Sequence, residues 1–94
     1  MSSSYVRIGV NTAGFERYTP LQQAIELLQR LEKRSSNAEK LARELGTEEN
    51  FISHFIRFLH DMQWIRSDNR ELWCITEKGG VWLHNIQDML EDNR

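Results

Sequence analysis

The sequence is poor in several features that define large classes of proteins. Cys74 is its only cysteine, so an intramolecular disulfide is impossible. A lone thiol suits a reducing compartment, and we therefore expect a cytoplasmic protein. No apolar run approaches the ~20 residues that a membrane-spanning helix needs. The N-terminal stretch MSSSYVRIGV also lacks the long apolar segment of a secretory signal.

Positive charge is scarce as well. The chain has 12 Lys and Arg against 14 Asp and Glu, which gives a net charge of −2. The acid is concentrated in residues 71–94, where two Lys/Arg stand against five Asp/Glu. Proteins that bind nucleic acid usually carry a basic balance, because phosphate binding is mostly electrostatic. A nucleic-acid surface in this chain would therefore have to come from the arrangement of its charges.

The sequence shows no motif for catalysis or metal binding. No two of His54, His60 and His84 are four residues apart, and no second cysteine joins them as a zinc ligand. There is no nucleophile elbow, phosphate-cradling glycine loop or carboxylate pair, and Gly79-Gly80 opens a helix rather than following a strand. We expect a protein without enzymatic activity, cofactor or metal.

What the sequence does contain is a series of helices with clear starts and stops. Thr19, Pro20 and Gln22 have the residue types of a helix start, so we predict a first helix over 20–33. Residues 1–18 precede it as an arm, either loose or forming a short strand through YVRIGV, and 19–94 form the domain. Apolar residues at helical spacing predict the inward face of the first helix: Leu21, Ala24, Ile25, Leu28 and Leu31.

Two more helices follow with almost no loop between them. Ser36 opens a capping box and predicts a helix over 37–45, which Gly46 ends in a left-handed C-cap. Thr47 is expected to cap the next helix, over 48–62. The buried face of that helix is predicted from its spacing: Ile52, Phe55, Ile56, Leu59 and Met62.

A β-hairpin is predicted over 64–75, where apolar and aromatic residues flank a polar SDNR turn. A two-residue turn would pair Trp64 with Trp73, whereas a three-residue turn would pair Ile65 with Trp73. The two registers exchange the faces of the strands, and the sequence leaves both open.

The last helix, over 77–91, is expected to have Thr76 as its cap. Its apolar stripe is wide for so small a domain. The stripe would pack on the first helix, or it would pair two copies of the chain in a homodimer. The residues predicted for that dimer interface are Trp82, Ile86, Met89 and Leu90.

The order helix, helix, helix, hairpin, helix resembles the winged helix-turn-helix family of small bacterial and archaeal transcriptional regulators. The resemblance covers residues 20–84 and is carried by NFISHFIRFLHDMQWI and LWCITEKGG. Ile52-Ser53 and Trp64-Ile65 correspond to family positions, and Thr76 with Gly79 matches its LT-x-x-G step. Gln63 stands where the family often has glycine. The resemblance implies a mainly α fold with a small β-hairpin, the wing.

The resemblance also implies a sequence-specific transcriptional regulator that binds double-stranded DNA. The helix over 48–62 would enter the major groove, and the wing over 64–75 would reach the backbone. Ser, Asn, His and Arg donate to phosphates or base edges, and guanidinium groups suit phosphate oxygens. The implied DNA contacts come from the recognition helix (Asn50, Ser53, His54, Arg57), the wing (Arg66, Arg70) and the start of the second helix (Ser36, Asn37, Lys40).

Plainer interpretations stand beside these. The polar face could be merely solvated, and Arg66 and Arg70 could pair with neighbouring acids on the surface. Phe51 and Phe58 lie on one flank of the recognition helix, where they either pad internal contacts or bind a protein. An alternative function is therefore a protein–protein interaction module that uses both phenylalanines and the C-terminal helix.

Overall fold

The structure is a computed structural model that describes residues 10–68 and 71–92, with side chains for 14–68 and 71–91. It is mainly α-helical with one small two-stranded antiparallel sheet, as the sequence predicted. Its elements follow in chain order: α1 (Val10–Arg17), α2 (Pro20–Lys33), α3 (Ala38–Leu45), α4 (Glu49–Asp61), β1 (Ile65–Ser67), β2 (Trp73–Ile75) and α5 (Glu77–Asp92). None of these helices is both long and apolar enough to cross a membrane.

Helix α2 begins and ends where the sequence predicted. Thr19 Oγ1 accepts a hydrogen bond from Gln22 N at 3.2 Å, and Pro20 occupies the first turn, where its missing N–H costs nothing. Leu27 and Leu28 are fully buried. Leu21 was predicted to be in the core but is 42% exposed, because the neighbouring elements cover α2 only from its fourth residue onward.

Helix α3 is capped by Asn37, so the predicted cap at Ser36 is wrong. Asn37 Oδ1 accepts from Lys40 N at 2.8 Å. Ser36 is instead buried and extended: Ser36 N donates to Trp73 O at 3.1 Å, and Trp73 N donates to Ser36 O at 2.6 Å. This isolated bridge lies outside the two strands of the sheet and joins the segment before α3 to β2.

The turn between α3 and α4 depends on Gly46, which has φ 69° and ψ 37°, the left-handed conformation predicted for it. The predicted cap at Thr47 is wrong. Its hydroxyl donates to the Glu16 carboxylate, and Glu48 precedes α4 without a side-chain cap. On α4, Ile52, Ile56 and Leu59 are buried as expected, but Met62 lies beyond the last turn and is exposed.

The hairpin adopts neither of the predicted registers. Ile65 pairs with Ile75, and Ser67 pairs with Trp73. Asp68 N donates to Leu72 O, so three residues lie between the bonded pair, as in the predicted three-residue turn but one position further along the chain. Asp68-Asn69 lacks the glycine that favours a tight two-residue hairpin turn, and the observed register keeps Ile65 in the core.

Helix α5 starts as predicted, with the Thr76 side chain at its cap. Thr76 Oγ1 accepts from Gly79 N at 3.0 Å and donates to Gln63 O at 2.7 Å. Leu83 is fully buried, and α5 packs on α2 and β2. The cap therefore also fixes α5 to the beginning of the hairpin.

Helix α1 was not predicted, since residues 1–18 were expected to be a loose arm or a strand. Of YVRIGV, only Val10 belongs to the described residues, and it begins the helix. Phe15 is buried, its ring centroid is 5.9 Å from that of Phe51, and its carbonyl accepts from Gln23 Nε2 at 2.9 Å. Tertiary contacts of this kind stabilise short helices whose sequences carry little helix signal.

Candidate nucleic-acid interface

The outward side of α4 is polar and uncovered. Asn50, Ser53, His54 and Arg57 are all exposed, and the buried residues of the helix face the opposite way. His54 Nδ1 donates to the Asn50 carbonyl at 2.9 Å. In the neutral ring this leaves Nε2 as an acceptor. The predicted recognition face is thus accessible along the length of the helix.

A shallow depression joins this face to the hairpin. It is lined by Ala38 of α3, Trp73 of β2 and four residues of α4: Ser53, Ile56, Arg57 and His60. The His60 and Trp73 rings meet edge to face at 5.4 Å. Three elements therefore contribute to one surface, with a hydroxyl, a guanidinium and an imidazole around an aromatic side chain.

The start of α3 offers fewer side chains for contact with DNA than the sequence predicted. Ser36 is only 7% exposed, and the Asn37 side chain already caps the helix. Lys40 remains exposed and, together with Arg34, lines a second depression that contains no residue of α4. The sequence interpretation overlooked Arg34, although the run KRSS at residues 33–36 marks a basic loop next to a helix start.

The Lys and Arg side chains near this surface divide into those that form ion pairs with acidic side chains and those that do not. Arg30 pairs with Glu26 and Glu44 at 3.4 and 3.6 Å, and Arg43 pairs with Glu39 at 3.1 Å. The cations of this surface that make no ion pair to any described residue are Arg34, Lys40, Arg57 and Arg66. Their charge is available to an anionic ligand.

The hairpin contributes Arg66, which is exposed on β1. It lies opposite Cys74, whose thiol donates to the Arg66 carbonyl at 3.6 Å. Arg66 forms no ion pair with the nearby acid Glu71, which the observed register does not place opposite it. Arg70, also predicted to contact DNA, lies outside the described residues.

The residues predicted for a dimer interface divide into two groups. Trp82 stacks on Trp64 at 4.3 Å with a 19° interplanar angle, and Ile86 is partly buried against the core. Met89 and Leu90 are exposed. The two phenylalanines divide likewise: Phe51 packs on Phe15 in α1, whereas Phe58 is 49% exposed.

Within the described residues, no three His, Cys, Asp or Glu side chains are grouped as metal ligands would be. No protein-family model, curated protein or solved structure matches the chain. A function must therefore be argued from the chemistry of this surface.

Proposed function

We propose that the protein is a winged helix-turn-helix regulator that binds double-stranded DNA sequence-specifically. In this proposal α3, Gly46 and α4 form the helix-turn-helix, and β1 with β2 forms the wing. The observation that carries the proposal is the uncovered, donor-rich face of α4, bordered by cations without ion pairs.

Helix α4 would lie in the major groove, which is about 12 Å wide and admits one helix. Its exposed side chains match base edges: an Asn amide pairs with adenine, and an Arg guanidinium pairs with guanine. Asn50 and Arg57 are two turns apart on the same face, so they would read base pairs at two positions of the site. Ser53 and His54, between them, would contact bases or phosphates.

The backbone contacts would come from either side of α4. On one side they would come from Lys40 in the first turn of α3 and from Arg34 after the end of α2, which line one depression, and on the other from Arg66 on the wing. Glu48 and Glu49 are exposed at the N-terminal end of α4 and would repel a phosphate there. The charge pattern thus directs the phosphates toward α3 and the wing, which is how a chain with a net charge of −2 could still bind DNA.

A salt titration of duplex binding tests this proposal. We expect the wild-type chain to bind a mixed-sequence duplex at low salt, with affinity falling as salt rises. Arg66→Ala should weaken binding and reduce the slope of log K against log salt by about one, the loss of the single phosphate contact assigned to Arg66. Arg17→Ala is the matched control, because Arg17 is an exposed arginine on α1 that makes no ion pair to any described residue.

Two results would overturn the proposal. One is an absence of duplex binding by the folded wild-type chain at low salt. The other is an equal loss in both variants, since a diffuse charge effect does not distinguish the proposed DNA surface from the rest of the molecule.

A further inference from the structure

Positive charge is concentrated between the end of α2 and the start of α3. Two depressions adjoin there, with volumes of about 320 and 310 Å³, and their walls share Arg34, Ser36 and Glu44. Lys33 lines the first depression, and Lys40 lines the second. We call the two together the basic hollow. None of the described residues that line it belongs to α4, so the hollow is separate from the face that would read DNA bases.

Three cations of the basic hollow are available to an anion. Lys33, Arg34 and Lys40 are exposed and form no ion pair with any described residue. A single phosphate group carries roughly −1.5 to −2 charges near neutral pH. Three unpaired cations therefore suit a ligand with more than one phosphate group.

The acidic side chains at the rim of the hollow are already engaged. Arg30 pairs with Glu44 at 3.6 Å as well as with Glu26, and Arg43 pairs with Glu39 at 3.1 Å. These pairs offset the carboxylates that would otherwise repel an anion. The pair between Arg30 and Glu44 also joins α2 to α3, so the two walls of the hollow are held in place before a ligand arrives, which lowers the entropy cost of binding.

The hydroxyl of Ser36 is a buried polar group that no described residue binds. Ser36 is only 7% exposed, and its backbone N–H and carbonyl are both bonded to Trp73. Because Ser36 lines both depressions, the hydroxyl is the polar group that it offers to them. Buried polar groups are usually hydrogen-bonded, so an unpaired one in the wall of a depression points to a group that the depression binds. The start of α3 lies at the same place, and the positive end of its dipole also favours an anion.

We propose that the basic hollow binds a compact anion with two linked phosphate groups, a diphosphate. One phosphate would lie beside Lys33 and the other beside Lys40, with Arg34 and Ser36 shared between them. A guanidinium group and a hydroxyl both donate hydrogen bonds to phosphate oxygens. Each depression is at the small end of the ~300–1,000 Å³ range of ligand pockets, which favours a compact anion over a large ligand.

Diphosphate binding does not depend on the proposed function, but one of its consequences does. Arg34 and Lys40 are also the residues that would contact the DNA backbone on the α3 side. A diphosphate in the hollow would occupy both side chains and compete with the duplex. If the protein binds DNA as proposed, a small phosphorylated molecule would therefore regulate that binding.

Calorimetric titration of the full chain with inorganic pyrophosphate, at constant ionic strength, tests the site. Pyrophosphate should bind about tenfold or more tightly than inorganic phosphate or sulfate, because it fills both depressions at once. Arg34→Ala should weaken binding about tenfold, since a charged hydrogen-bond donor is lost. Arg17→Ala, on α1, should leave the affinity unchanged. Pyrophosphate that binds no more tightly than sulfate, or an equal loss in the two variants, would overturn the proposal.

Ser36→Ala is a sharper test, because it removes one hydroxyl and keeps the backbone bridge to Trp73. Circular dichroism confirms that the variant is folded. The affinity for pyrophosphate should fall about tenfold, the loss of one hydrogen bond to a charged group. Ser67→Ala removes an exposed hydroxyl on β1 and should have no effect. Full affinity in Ser36→Ala would show that the hydroxyl does not face the ligand, which contradicts the proposed site.

Titration with ADP distinguishes two sources of the same group, since ADP carries a diphosphate on a nucleoside. An affinity for ADP equal to or above that for pyrophosphate identifies a nucleotide as the ligand. A lower affinity identifies the free anion.

Duplex binding in the presence of pyrophosphate separates the site from the proposed function. If both proposals hold, saturating pyrophosphate should lower the duplex affinity about tenfold relative to chloride at equal ionic strength, because two backbone contacts are lost. A chain that binds the duplex but not pyrophosphate would overturn the diphosphate site alone. A chain that binds pyrophosphate but no duplex would support the site and overturn the DNA proposal alone.

Discussion

Gly79, in the first turn of α5, packs directly on the backbone carbonyl of Trp64. A Cβ atom added to Gly79 would lie 2.2 Å from Trp64 O, and the same oxygen accepts from Thr76 N at 2.9 Å. The start of α5 is thus held against the hairpin by a backbone contact that leaves no space for a side chain. Gly80, one residue further along, has no atom within 4 Å of the corresponding position.

We expect Gly79→Ala to lower the free energy of unfolding by about 1 to 3 kcal/mol. The clash is with backbone, so α5 or the hairpin must move, and overpacking of this kind outweighs the helix-propensity gain of alanine. Urea denaturation measures the change.

Gly80→Ala is the matched control for this substitution. It should raise the free energy of unfolding by about 0.5 to 1 kcal/mol, because alanine favours the helix and the position is open. Equal effects from the two variants would contradict the close approach of Gly79 to Trp64.

Gln63 has a φ of 66°, in the left-handed region, although it is not a glycine. Such a conformation costs a residue with a Cβ about 1 kcal/mol or more. Gln63→Gly should therefore raise the free energy of unfolding, by about 0.5 kcal/mol once the greater freedom of glycine in the unfolded chain is included. Gln63→Val should lower it, because a β-branched residue fits this region worst. Thermal unfolding of both variants checks the two opposite signs.

The next prediction tests which of two adjacent residues, Ser36 or Asn37, caps α3. Asn37→Ala should lower the free energy of unfolding by about 1 kcal/mol, since the Lys40 amide loses its side-chain acceptor. Ser36→Ala should cost less than about 0.5 kcal/mol, because the Ser36 bonds to Trp73 are made by the backbone and survive. Chemical denaturation of the two variants in parallel decides between the two caps. A larger loss of unfolding free energy for Ser36→Ala than for Asn37→Ala would contradict the structure.

His84 on α5 is joined to Glu32 on α2, and this pair predicts a pH dependence. His84 Nε2 donates a hydrogen bond to the Glu32 carboxylate, and this bond together with the negative charge of Glu32 raises the pKa of His84 above the ordinary 6.5. Protonated His84 therefore stabilises the folded state below pH 6.5, and this stabilisation is lost as the pH rises through the raised pKa. Removing the carboxylate with Glu32→Gln should return the pKa of His84 toward 6.5.

An NMR titration of the His84 imidazole in both forms measures this difference. His60, which forms no ion pair with any described acid, serves as the internal reference. An unchanged His84 titration in Glu32→Gln would show that the contact between His84 and Glu32 does not form in solution.

Local signals in the sequence were enough to place most of the fold. Three helix boundaries are marked by a short-range hydrogen bond or a backbone conformation: one at Thr19 and Pro20, one at Gly46, and one at Thr76. Such features depend on two to four consecutive residues, so they can be read directly. The same holds for the polar face of α4, whose exposure follows from its 3.6-residue period.

Features set by distant residues could not be predicted in the same way. Helix α1 depends on Phe15 packing against Phe51, and Ser36 is buried because Trp73 binds its backbone. The register of the hairpin was likewise decided by its fit to the core rather than by its turn. Phe51 and Phe58 occupy the same flank of α4 in the sequence pattern, and only the position of α1 distinguishes the covered ring from the exposed one.

The bridge between Ser36 and Trp73 closes a long loop that contains α3, α4 and β1. Closing a loop of that length is entropically costly, so this contact should form late in folding. Once formed, it prevents α3 and the hairpin from opening separately. The amide protons of Ser36 and Trp73 should therefore exchange with solvent at matching rates, as parts of one cooperative unit.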